Sequence, residues 1–154
     1  MSKNLPIQLR LANEEDVPFI FSSWLKSYRN SYFAKNITNT VYYAEHHKLL
    51  EKVIKSNKVV VACNPDETTQ IYGWICAGYT DNIFTLHYVY VKHPFRGFGV
   101  GKTLLNAFEH DPSFAAVYTH NTKAADKLAA KYNMIYHPYI IINDYELKSD
   151  KPES

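Results

Sequence analysis

Apolar residues recur along this chain in two periods. From Ile7 to Leu11 they alternate weakly with polar ones, the signature of a half-buried strand. Val17, Ile20, Phe21, Trp24, Leu25 and Tyr28 then fall on one helical face. Asn13 stands where an N-cap belongs, and Glu14, Glu15 and Asp16 fill the first turn, where the helix dipole favours acids. Pro18 is tolerable only near such a start. Residues 30–39 are polar and read as a loop. Thr40 is placed to cap a second helix, with Tyr43, His46, Leu50, Val53 and Ile54 inward.

The second half opens with Lys58-Val-Val-Val-Ala-Cys63, a buried strand, and a turn from Asn64 to Thr68. Residues 71–79 form another strand, with Gly73 and Gly78 at bulges or close contacts. Asp81-Asn82 is a tight turn into a long central strand, residues 83–91. A helical pattern covers residues 102–110, with Leu104, Leu105 and Phe108 inward, and Asp111-Pro112 ends it. Ala115 to Thr119 is a strand. Thr122 caps a last helix with Ala124, Ala125, Leu128, Ala129 and Tyr132 on one face, and Asn133 suits its left-handed C-cap. Residues 134–142 are β-rich, broken at His137-Pro138, and the polar tail 148–154 is expected to fray. The order is β-α-α-β-β-β-α-β-α-β. It predicts an α/β (α+β) fold: one mixed, mostly antiparallel sheet flanked by helices. No repeat or linker divides residues 1–154, so a single domain is expected.

Composition narrows the function. At 46% hydrophobic and 21% charged, the chain has enough apolar material for a real core. A net charge of +2 gives no electrostatic case for nucleic acid. Two cysteines, Cys63 and Cys76, make no disulfide framework, and the N-terminus has no apolar signal core. No run approaches a membrane span, so a cytoplasmic protein with no membrane partner is expected. The histidines have no metal-ligand spacing, and no metal is expected. Thirteen Tyr and eight Phe are an unusual load; core packing takes most of them, and some are available to line a pocket.

Candidate chemistry concentrates at Arg96-Gly-Phe-Gly-Val-Gly101, between the central strand and the next helix. Amides at a helix start have no acceptor four residues back, and the dipole adds positive charge there. Glycines let an anion approach the main chain, so the segment reads as a pyrophosphate cradle. The spacing fails for a P-loop, because Arg96 stands where its first glycine belongs. The G-x-G-x-x-G of a dinucleotide fold is absent too.

With the element order, the stretch from Tyr88 to Leu105, containing R-x-x-G-x-G, resembles the GNAT superfamily of acyl-CoA N-acyltransferases. The resemblance covers about residues 5–145. Asn121, with Ala124 three residues on, is a second match. It implies attack of an amine on the thioester of acetyl-CoA or another acyl-CoA. Gly97, Phe98, Gly99, Val100, Gly101 and Lys102 would hold the pyrophosphate, with Arg96 adding charge or bracing the loop. Val89, Tyr90 and Val91 would pair with the pantetheine arm, the Tyr90 amide would face the oxyanion, and Asn121 would hydrogen-bond the pantetheine. His87 is the candidate base, as in family members that acylate arylalkylamines, because histidine titrates near neutrality. Glu45, His46 and His47 are alternatives. The family's usual tyrosine acid is replaced by Leu128, so Tyr132, one turn later, is the candidate acid, with Tyr118 and Tyr136 as substitutes. Tyr28, Arg29, Tyr32 and Phe33 fall where the family shapes its acceptor groove. The acceptor class stays open: a small amine, a protein amine, or a nucleobase or aminoacyl-tRNA, handled by a monomer or homodimer. Two other readings are a non-catalytic acyl-CoA sensor and a nucleic-acid binder on the same scaffold.

Overall fold

The computed structural model describes residues 4–108 and 115–141. Its elements are β1 (Gln8–Leu11), α1 (Val17–Tyr28), α2 (Asn39–Ser56), β2 (Lys58–Asn64), β3 (Glu67–Thr80), β4 (Ile83–Val91), α3 (Val100–Leu105), β5 (Ala116–Tyr118), α4 (Lys123–Tyr132) and β6 (Met134–Tyr136). The strands form one sheet in the order β1-β2-β3-β4-β5-β6. The pairs from β1 to β4 are antiparallel, whereas β4–β5 and β5–β6 are parallel. The expected mixed sheet is present.

Local chemistry sets the boundaries. Asn13 caps a short 3₁₀ turn, Glu14–Asp16, rather than α1 directly; Asp16 returns the bond to the Asn13 amide and takes a bidentate grip from Arg10. Asp81 and Asn82 both adopt positive φ, the tight hairpin geometry that a short polar pair tolerates. Thr122 caps α4, and Asn133 ends it in the left-handed conformation.

Several expectations need correction. Thr38, not Thr40, caps α2, and its buried stripe is Tyr42, His46, Leu50 and Val53. Tyr43 lies one residue off that stripe and is exposed, and Ile54 is only half-buried. β3 begins at Glu67 because an antiparallel arm can face water with polar residues. α3 starts at Val100 and gives way after Leu105 to tighter i→i−3 bonds, Ala107 N–H to Leu104 O and Phe108 N–H to Leu105 O. Ala124 is exposed on α4. β6 stops before Pro138, which lacks a ladder donor, and residues 139–141 are helical. The Asp111-Pro112 stop and the tail lie outside the described residues.

Two cores flank the sheet. On the α3/α4 face, Val60, Ile75, Leu86, Val89, Val100, Leu104 and Leu128 pack with few polar atoms. On the α1/α2 face, Trp24, Tyr28, Tyr42, Trp74 and Tyr88 pack with Leu50 and Val53. Each fully buried aliphatic side chain contributes about 1.5–3 kcal/mol. Three aromatic tips find partners: Trp74 Nε1 donates to Ser23 Oγ at 2.9 Å, Tyr42 Oη donates to Leu25 O at 2.7 Å, and the Ser27 and Tyr88 hydroxyls meet at 2.7 Å. Trp24 Nε1 is buried with no hydrogen-bond partner among the described residues.

Candidate active site

The site is built around a fault in β4. Cys76 pairs with Tyr88, yet the next β3 residue, Ala77, pairs with Leu86, so His87 is an extra residue: a β-bulge. The bulge resets the alternation of side chains. Phe84 and Leu86 face the α3/α4 core, whereas Tyr88, two residues on, faces the α1/α2 core.

Beside the bulge, β4 parts from β5. Their ladder runs from Phe84↔Ala116 to Leu86↔Tyr118 and closes with Thr119 N–H to Leu86 O. From Tyr88 to Val91, β4 continues with β3 as its strand partner. Lys92 N–H bonds to Tyr72 O, and the Tyr90 carbonyl lies against Gly73, where a Cβ would collide with it. Main-chain groups alternate along a strand, so the Tyr90 amide faces β3 and the Val89 and Val91 amides face the open side. This corrects the expected role of Tyr90: a donor engaged by β3 is not an oxyanion donor. Gly73 is there for the close approach.

The Gly-rich loop follows directly. Gly97 and Gly99 have φ of 88° and 74°, where a side chain is strained. A Cβ at either position would meet no atom within 4 Å, so the backbone conformation, not crowding, calls for glycine there. Gly99 is the N-cap of α3, and its carbonyl accepts from Thr103 N–H at 3.0 Å. Gly101 lies over Val89, tying the helix start to the strand edge. Arg96 is a brace: its Nε donates to Val91 O at 3.0 Å. Phe98 packs against the α3/α4 core, and Lys102 sits in the first turn of α3.

His87 is 4% exposed, and its Nδ1 lies 3.1 Å from Thr119 Oγ1. Thr119 Oγ1 lies 3.0 Å from His120 Nδ1, and His120 Nε2 lies 3.0 Å from His46 Nε2. Thr119, His120 and His46 are 3%, 2% and 7% exposed. A buried chain of polar groups therefore runs from the β4 bulge, across the end of β5, to α2. Rings of Trp24, Tyr28 and Tyr88 enclose His120. Burial lowers the His46 pKa to about 4. It holds His120 well below the ordinary histidine value too, helped by the neighbouring imidazoles and opposed by a backbone hydrogen bond to His87. Burial likewise raises the Tyr88 hydroxyl to about 12.

The other candidates divide. Tyr32 and Phe33 line a cavity of about 580 Å³ with Asn121 and Tyr136. Tyr28 is core beneath it, packed on Phe33, His46 and His120. Arg29 is committed to the loop that follows α1 and to the start of α2: it donates to Ala34 O, Ile37 O and Asn39 Oδ1, and lies over the Tyr42 ring. Tyr28 and Arg29 therefore support the cavity rather than line it. The Asn121 amide donates to Asp126 Oδ1, as does the Tyr118 hydroxyl. Tyr132 is half-buried against the α3/α4 core. Glu45 and His47 make surface ion pairs with Lys48 and Glu51. Among the described residues no group of three or more metal-binding side chains is gathered. No helix there is long and apolar enough to cross a membrane.

Sequence reasoning missed Thr119 and His120. The available signal was Thr119-His120 directly before Asn121, at the end of a strand parallel to the one carrying His87. Two polar residues that close a buried strand need partners in the core.

The chain belongs to the acetyltransferase (GNAT) family, whose model matches residues 18–130. Solved structures agree on the fold. A Pyrococcus furiosus protein assigned as an acetyl transferase is similar over 97% of this chain and 95% of its own, with 20% identity and a TM-score of 0.52. A Clostridium difficile 630 protein assigned as a possible acetyltransferase is similar over 82% of this chain and 87% of its own, with 19% identity and a TM-score of 0.53. No curated protein sequence matches the chain significantly.

Proposed function

We propose that this protein moves an acyl group, acetyl in the first instance, from acyl-CoA to an amine, with His87 as general base. The observation that carries the proposal is the position of His87. It is the extra residue of the bulge, at the point where β4 leaves β5 and the strand edge opens. The Val89 and Val91 amides suit pairing with the pantetheine arm as an added strand. The loop from Gly97 to Lys102 suits the pyrophosphate. A thioester carbonyl held on that edge would have an amide donor for its developing oxyanion, and His87 would take the proton that the attacking amine gives up.

The cavity of Tyr32, Phe33, Asn121 and Tyr136 is the proposed acceptor site, and its rings favour an amine carried on an apolar or aromatic body. Both cysteines are buried free thiols, which suits a reducing cytoplasm.

The test is thiol release from acetyl-CoA across a panel of arylalkylamines, amino-acid esters and short peptide N-termini. At least one amine should turn over. His87→Gln should lower that turnover by about a hundredfold or more, with acetyl-CoA affinity unchanged. A His87→Gln variant as fast as the parent would remove His87 from the base role.

A further inference from the structure

The base reading leaves a question of proton balance. His87 is nearly enclosed, so a proton it accepts needs a way out before the next turnover. The chain from His87 through Thr119 and His120 to His46 has a short contact at every link: 3.1, 3.0 and 3.0 Å. Each imidazole can accept a proton on one ring nitrogen and give one up from the other, and the Thr119 hydroxyl can accept and donate through its one oxygen. At the far end, His46 lies on α2, its ring centroid 6.4 Å from that of Phe33, which is half exposed and lines the cavity.

We propose that His87, Thr119, His120 and His46 form a proton relay that carries the acceptor's proton from the β4 bulge to His46 on α2, beside the half-exposed Phe33. The inference rests on the His87-base reading. One set of tautomers satisfies every link. His87 Nδ1–H donates to Thr119 Oγ1, the Thr119 hydroxyl donates to His120 Nδ1, His120 Nε2–H donates to His46 Nε2, and His46 keeps its own proton on Nδ1. When the ammonium form of the acceptor gives its extra proton to His87 Nε2, that N–H bond breaks and one forms on His87, and the freed amine attacks. The second N–H proton, lost as the amide forms, goes to the departing CoA thiolate. Each group along the chain then passes on the proton it held and receives one from its neighbour. His46 Nδ1 gives up one proton at the far end, so no charge stays inside, and a turn of each imidazole and of the Thr119 hydroxyl restores the starting tautomers before the next cycle.

The surroundings favour passage over storage. The rings against the chain are Trp24 and Tyr28 from α1, Tyr42 from α2 and Tyr88 from β4, and none of them is a carboxylate. The tyrosine hydroxyls are held up by burial, so they stay neutral. Burial keeps His46 and His120 neutral at rest, as a relay needs. The competing arrangement is structural: His87 and His120 would both donate to Thr119, whose hydroxyl would turn to the His87 carbonyl 3.4 Å away. That arrangement breaks the chain at Thr119.

The two differ in one observable, the nitrogen that carries the His120 proton. Nitrogen NMR of the histidine-labelled protein at neutral pH should find His120 protonated on Nε2. A proton on Nδ1 would overturn the relay. The second arm is kinetic and uses the amine that turns over best in the panel above. Thr119→Val keeps the side-chain shape and removes the hydroxyl. It should slow turnover about tenfold or more, raise the solvent deuterium isotope effect, and leave acetyl-CoA affinity unchanged. Thr119→Ser should restore both rate and isotope effect. If Thr119→Val turns over at the parent rate while His87→Gln is inactive, the relay fails and the base stands. If His87→Gln stays active, the base reading fails and the relay falls with it.

Discussion

The two faces of the sheet are packed from different materials. The α3/α4 face is largely aliphatic, with Val60, Ile75, Leu86, Val89, Val100 and Leu104 meeting under the Gly-rich loop. The α1/α2 face stacks Trp24, Tyr28, Tyr42, Trp74 and Tyr88 around His46 and His120. An aliphatic face can hold a loop rigid and offers no proton chemistry. An aromatic face can keep imidazoles dry and neutral while satisfying each ring nitrogen through a neighbour. The β4 bulge joins the two faces, since it turns the strand from one to the other at His87. The proposed cofactor loop therefore rests on the inert face, and the proposed acid–base groups sit against the titratable one.

That contrast can be broken from either side. The largest stability effect is expected on the aliphatic face. Leu104 is fully buried, and Leu104→Ala should cost about 2–5 kcal/mol in denaturant unfolding. The pH dependence of stability should keep its shape in that variant. A loss below about 1 kcal/mol would mean that α3 is poorly packed.

The aromatic face should set the acid limb of stability. Burial lowers the His46 pKa from 6.5 to about 4, so the unfolded chain takes up the proton first. Stability should therefore fall as pH drops from 6.5 toward 4, and the loss is complete below the folded value. At about 1.4 kcal/mol per pH unit this amounts to about 3 kcal/mol from His46 alone. Chemical denaturation at stepped pH measures it, and His46→Gln should flatten the slope. An unchanged slope in His46→Gln would place the acid sensitivity elsewhere, with His120, also held low by burial, the next candidate. Asp16 acts only at lower pH. Arg10 holds that carboxylate low, so its contribution also fades as pH falls.

The smallest effect is expected at the rim. Tyr32 is 84% exposed, and Tyr32→Ala should shift stability by no more than about 0.5 kcal/mol. In the amine panel the same variant should raise KM for the acceptor and leave acetyl-CoA affinity alone. An unchanged acceptor KM would move the acceptor site away from this cavity.

Much of this was legible in the sequence. Periodicity located the six strands and four α-helices of the described residues, though not the 3₁₀ turn at Glu14–Asp16 or the helical residues 139–141. The cap residues Asn133 and Thr122 were readable because their chemistry is local. The Arg96–Gly101 turn was readable for the same reason: positive φ at Gly97 and Gly99 is a demand that glycine meets. What escaped is what depends on register. Tyr43 and Tyr42 differ by one residue along α2, yet only Tyr42 reaches the core. The bulge at His87 inverts the alternation of β4, so no counting along that strand would have turned the Tyr90 amide toward β3. Arg29 reads as a candidate substrate ligand until its two hydrogen bonds to the following loop and one to the start of α2 are seen. His120 and His46 lie far apart in sequence and meet only because the chain leaving β5 passes α2 on one face of the sheet.

The account stands most directly on the binding of acyl-CoA at the β4 edge and its loop. Calorimetric titration of the protein with acetyl-CoA, alongside Gly99→Glu, tests it. Gly99 combines a φ of 74° with a place at the start of α3, so glutamate there strains the turn and sets a negative charge where the pyrophosphate would lie. The account predicts saturable binding to the parent protein at a one-to-one ratio, weakened by about a hundredfold or more in Gly99→Glu. Equal affinity in both proteins, or none in the parent, would contradict it.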